Sequence, residues 1–154
     1  MMNFEILQAL VVLVAWTLAV QLWMYVRRIP ALSRHPQLDP TTMVGSTGRT
    51  LDDALPPRVQ WAAHNYNHLH EQPTLFYALA LAIAFLGHGN GINATIAWIY
   101  VGLRIAHSLV QILWNRVIVR FALFALSSLC LVSLTVHATY YAFGWHGTPV
   151  FQLR

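Results

Sequence analysis

Arg104, His107, Gln111 and Asn115 stand three or four residues apart, the spacing of one helix face, inside a segment that otherwise reads as lipid-soluble. The flanking residues 92–101 and 117–126 are strongly apolar. An arginine at membrane depth costs a few kcal/mol on insertion scales, and so faces a protein interior, a water-filled cavity or a ligand. A fold that leaves this stripe against hydrocarbon is therefore excluded. The chain must build a polar interior.

Composition says where. The 154 residues are 57% hydrophobic and only 9% charged, against about 25% charged in a soluble domain, with mean hydropathy +0.52. This is an integral membrane protein by composition. Nine arginines, no lysine and a net charge of +4 invite a nucleic-acid partner, but the arginines are scattered between apolar spans and leave no basic face for one. The single Cys130 sits in an apolar run, cannot form an intrachain disulfide, and reads as a small packing or lipid-facing residue.

Four hydrophobic segments emerge, at about 4–26, 60–87, 92–113 and 117–143, in one domain covering 1–154. The first holds 21 residues without a charge (6–26) and ends at Trp23, Tyr25 and Arg27–Arg28, an interface belt followed by an anchor. Its basic pair follows the apolar run, as in an uncleaved first helix rather than a secretory signal. Pro30 is expected to stop it. The long connection, about 27–57, holds Pro36, Pro40, Pro56 and Pro57 with Asp39, Asp52 and Asp53, a loop with room for a short interfacial helix.

The second segment is odd. Its purely apolar part, 74–86, is 13 residues, about 20 Å of helix against a hydrocarbon core of roughly 30 Å. The helix must draw on the preceding polar run, where His64, Asn67, His68 and Glu71 fall on one face, with Pro73 placed to kink it. Asn90-Gly91 marks a turn before the third segment. A short break near 114–116 precedes the fourth, whose exit belt is Tyr140, Tyr141 and Trp145, before a tail at 144–154.

Arginine counting sets orientation. The first connection holds five (Arg27, Arg28, Arg34, Arg49, Arg58) and the third has Arg116 and Arg120, while the second has none and the tail only Arg154. The positive-inside rule puts both termini on the non-cytoplasmic side. The polar ends of the second, third and fourth helices then converge on the cytoplasmic face, where one site is expected.

The run Asn67-His-Leu-His-Glu71-Gln-Pro73-Thr-Leu-Phe-Tyr77, then Arg104-Ile-Ala-His107, then Arg120 at the head of the last helix, resembles the signature of the membrane-associated proteins in eicosanoid and glutathione metabolism, the MAPEG family. The order of the pieces and the long first connection fit a divergent, bacterial-type member. The resemblance implies an all-α, four-helix membrane bundle that assembles as a homotrimer, with glutathione held between protomers. Carried over by position, it makes Arg120 the residue that stabilises the glutathione thiolate, and Asn67, Glu71, Arg104 and His107 the ones that hold the peptide. His64 stands where the family typically has an arginine, and Gln111 where it has a tyrosine. Arg58, nine residues before Asn67, returns near the same face and could supply the missing clamp. The implied activity is glutathione-dependent transfer to, or peroxide reduction of, a lipophilic molecule reaching the site from membrane lipid. A bacterial inner membrane is the expected location.

Arginine suits that chemistry, since it stays protonated and pairs bidentately with carboxylates. Lowering a thiol pKa by 2 units takes roughly 2.7 kcal/mol of differential stabilisation. Plainer readings stand beside each residue. Arg120 also fits a snorkelling anchor, Glu71 and Arg104 a structural ion pair, and His107 an interhelical donor. Ser108, Ser127 and Ser128 read as small packing residues, and Phe76, Tyr77 and Phe85 as packing aromatics. His64, His68, His70 and His107 leave room for a metal or haem site. A non-enzymatic scaffold or lipid-binding protein of the same fold is the other alternative.

Overall fold

The computed structural model describes residues 4–35, 38, 44, 45 and 47–144. Every regular element among them is a helix: α1 (Glu5–Ser33), α2 (Gly48–Ala54), α3 (Pro57–His68), α4 (Gln72–Phe85), α5 (Ile92–Leu113) and α6 (Val117–Ala142). Among the described residues, α1, α5 and α6 are long and apolar enough to cross a membrane. Pro36, Asp39, Pro40 and the tail with Trp145 lie outside the described residues.

The α1 helix does not stop at Pro30 but runs through it to Ser33. Proline removes the N–H that would bond the Val26 carbonyl. Val26 is 71% exposed near the interfacial end of the helix, where water can take that carbonyl, so the loss is tolerated. At the other end, α1 is capped across the chain. The Glu5 amide donates to Asn90 Oδ1 at 2.9 Å, and the Ile6 amide to the Gly89 carbonyl at 3.0 Å.

The run read as one kinked helix is two. The α3 helix starts at the Pro56–Pro57 pair, whose fixed φ suits a first turn, and ends at His68. Pro73 cannot donate to the Leu69 carbonyl. It sits instead in the first turn of a new helix, where its missing N–H costs nothing. Residues 69–71 form the break, with Thr74 Oγ1 donating to the Glu71 carbonyl at 2.6 Å.

The α1 helix packs along α3, α4 and α5, and α6 packs along α5 and α4. Ile6, Leu13, Phe76, Ile83 and Leu134 are fully buried between them, and Phe76 stacks on Tyr100 at 4.5 Å. Gly91 enters α5 at φ 64°, a conformation glycine adopts without strain. At this end the His137 ring meets Asn93 at 2.6 Å and the His88 ring stacks on Tyr141 at 3.8 Å. The opposite end gathers the last turn of α1, the start of α3, the end of α5 and the start of α6. Arg27, Arg28, Arg58, Arg116 and Arg120 collect there.

Gly89 is the tightest point of this packing: a Cβ on it would lie 2.8 Å from Phe4 Cβ and 2.9 Å from Ile6 Cγ2. Gly89→Ala is expected to destabilise the protein by about 1–3 kcal/mol, read as a lowered melting temperature in detergent.

Candidate functional site

The polar face of α5 turns inward. Arg104 is 2% exposed, and His107, Ser108 and Gln111 are buried with it. Tyr100, one turn earlier, accepts a hydrogen bond from Arg104 Nε at 3.2 Å. The guanidinium lies 5.5 Å from the Tyr100 ring and 5.2 Å from the Phe124 ring of α6, within cation–π reach. One terminal nitrogen, Nη2, makes no hydrogen bond. Gln111 accepts from Asn65 Nδ2 at 3.0 Å, tying α5 to α3 inside the core. The His107 ring interacts with the Gln111 side chain one turn on, but neither ring nitrogen closes a hydrogen bond of good geometry.

Asn115 leaves the stripe. The α5 helix ends at Leu113, and Asn115 sits in the left-handed region at φ 55°, which asparagine tolerates better than most residues. Its side chain instead accepts from Arg120 Nη1 at 2.7 Å. That bond fixes the guanidinium at the mouth of a cleft of about 260 Å³ lined by His68, His107, Val117, Arg120, Phe121 and Phe124. The His68 and His107 rings stand 5.9 Å apart on its wall.

The four polar residues around the helix break do not share one face. His64 and Asn67 open on a separate cleft of about 610 Å³ with Arg28, Arg49 and Asp52. Asp52 takes His64 Nε2 at 3.0 Å and lies 3.7 Å from Arg28 Nη2. Buried Gln60 secures this corner, accepting from Arg28 Nε at 2.8 Å and donating to the Leu51 carbonyl. Glu71 lies past the end of α3 and pairs with His68 at 2.9 Å, not with Arg104. The structural Glu71–Arg104 pair is thus replaced within the protomer, because the break at 69–71 carries Glu71 off the helix. Arg58 faces a third cleft, with Trp23, Arg27 and Trp61.

Within one protomer, the residues expected at a single site line several clefts. Arg120 and His107 share a cleft, Arg104 and Gln111 lie behind it in the core, His64 and Asn67 share another, and Arg58 belongs to neither. Phe124 was not among the expected residues, nor were Arg28, Arg49 and Asp52, while Asn115 was expected in the α5 stripe and His68 on the polar face before Pro73 or as a metal ligand. Of these, Arg28 and Arg49 had a signal in the arginine-rich connection. His64 and His68 turn toward different acids. Among the described residues no three histidines, cysteines or acids gather for a metal.

A family model described as the MAPEG family matches residues 6–140. Comparison with curated proteins and with solved structures gives no significant match.

The Asn65–Gln111 bond should behave as a buried pair. Asn65→Ala and Gln111→Ala each leave one amide unpaired and should each cost about 1–3 kcal/mol. The double variant should cost less than the sum of the two, as read by detergent unfolding in a double-mutant cycle.

Proposed function

Because this chain belongs to the MAPEG family, we propose that it uses glutathione to conjugate a lipophilic electrophile or to reduce a lipophilic peroxide. The supporting observation is positive charge without a counterion. Arg104 is buried and Arg120 is half-buried beside it. Among the described residues, the acids that form ion pairs are Asp52 and Glu71, and neither pairs with these arginines. Buried charge of one sign is costly, and an anionic ligand offsets that cost. A thiolate beside Arg120 is such an anion.

In this reading the glutathione sulfur enters the cleft of His68, His107 and Arg120 and releases its proton to water. Arg120 holds the sulfur ionised, and Arg104 adds positive potential from behind. The thiolate then attacks the electrophilic carbon, forming a C–S bond as the leaving group departs with the electrons of the bond that breaks. With a peroxide it attacks the distal oxygen, the O–O bond breaks, and the alkoxide takes a proton from water. A second glutathione converts the sulfenic acid to the disulfide and water. The apolar wall of Val117, Phe121 and Phe124 receives the lipophilic partner from the bilayer. The chain assembles as a homotrimer of four-helix bundles, in which α3 and α4 together make the second passage. An adjoining protomer brings its cleft of His64 and Asn67, with Arg28 and Arg49, to the peptide's carboxylates. Glu71 and Gln111 orient the walls. The arginine-rich end faces the cytoplasm, both termini lie on the far side, and a bacterial inner membrane is the host.

Ultraviolet difference absorbance of glutathione thiolate, on detergent-purified protein near neutral pH, tests this directly. The wild type should show the thiolate signal, and Arg120→Ala should raise the pKa of the bound thiol by about 2 units, a hundredfold fall in its ionisation constant, while keeping its fold. No signal in a folded wild-type oligomer would remove the enzyme and leave a scaffold or lipid-binding protein of this family.

A further inference from the structure

The third cleft has a chemistry of its own. It holds about 220 Å³ where the last turns of α1, the first turn of α3 and the end of α5 meet. Arg27 and Arg58 flank it, Trp23 and Trp61 stand beside them, and Ile112 and Leu113 close it with apolar surface. Both arginines are exposed. Among the described residues neither forms an ion pair, although Arg28, the next residue to Arg27, lies 3.7 Å from Asp52. The Arg58 guanidinium sits 5.9 Å from the Trp61 ring. Among the described residues, no acid lines the cleft.

Depth adds the second half of the argument. Tryptophans concentrate where the hydrocarbon meets the headgroups, and Trp23 lies toward the end of the apolar run of α1, whose outward Leu18 and Leu22 are more than half exposed. A ligand here has two guanidinium forks at its polar end and a lipid-facing helix below. Guanidinium forks match phosphate oxygens bidentately, and basic pockets between membrane helices bind phospholipid headgroups.

We propose that Arg27 and Arg58, with Trp23 and Trp61, form a site for the phosphate of an anionic membrane phospholipid whose acyl chains lie along α1. The tryptophans and the apolar closure favour a lipid over free phosphate, which the forks alone would accept. The assignment is independent of any thiol chemistry.

The test is a thermal-unfolding titration of the purified protein in neutral detergent, with phosphatidylglycerol, phosphatidylcholine or inorganic phosphate added. Phosphatidylglycerol should raise the melting temperature of the wild type beyond the effect of phosphatidylcholine, and inorganic phosphate should not. Arg27→Gln/Arg58→Gln should need about tenfold more phosphatidylglycerol for the same shift, with each single variant between. Arg34→Gln, which removes an exposed charge elsewhere on the same end, should titrate like the wild type. Equal titrations of the wild type and the double variant would overturn the site. A loss in Arg34→Gln as large as in the double variant would reduce it to general surface charge, and a matching shift from inorganic phosphate would overturn the lipid source. If the double variant does not fold, the two single variants decide the question by the same comparison.

Discussion

A guanidinium held in an apolar interior without a carboxylate is the constraint on which the remaining packing depends. Arg104 cannot be turned to lipid, so this face of α5 must be the inward one. Tyr100 and Gln111 follow it because they lie one and two turns away on that face. Tyr100 then meets Phe76 of α4, and Gln111 meets Asn65 of α3. The ring faces of Tyr100 and Phe124 supply part of the lost hydration, on the order of 2 kcal/mol for a desolvated cation–π contact. The effective desolvation penalty of a buried ion is several kcal/mol. The difference leaves the region electrostatically receptive to an anion.

The distribution of acids sharpens this. The chain has nine arginines and five acidic residues. Asp52 is engaged by Arg28 and His64, Glu71 by His68, and Glu5 occupies the first turn of α1, where the helix dipole favours it. Among the described residues, the ion pairs formed leave Arg104 and Arg120, and Arg27 with Arg58, without an acidic partner. The first is an open cleft with an apolar wall of Val117, Phe121 and Phe124, which suits the anionic thiol proposed above. The second lies at the interface, which suits an anion already anchored in the bilayer.

How much of this the sequence disclosed varies with the kind of signal. Arg104, His107 and Gln111 were legible because a 3.6-residue polar period stands out against an apolar run, and all three are buried. Asn115 fitted the same period but lies beyond the helix end, where a left-handed residue at φ 55° redirects it toward Arg120. Periodicity alone carried Asn115 past the end of α5, which the break expected near 114–116 had already marked. The second segment showed its proline but not the outcome, since a kink and a break differ only in whether the carbonyls before Pro73 find partners. The break separates Glu71 from His64 and Asn67, so their shared face dissolved. The links among Arg28, Asp52, Gln60 and His64 come from a loop folding back, and residue spacing carries no trace of such long-range partners.

The cap on α1 has a consequence in time. Its first backbone amides are satisfied by Gly89 and Asn90, and the Glu5–Asn90 bond spans 85 positions of sequence. At a synthesis rate of about 5–20 residues per second, roughly 4–17 s separate the emergence of the helix from the emergence of its cap. During that interval the leading end of α1 must take its hydrogen bonds from water or headgroups. The helix is completed only once the following hairpin has returned to the same membrane face, so α1, which precedes the other described helices in the chain, is among the last of them to be finished.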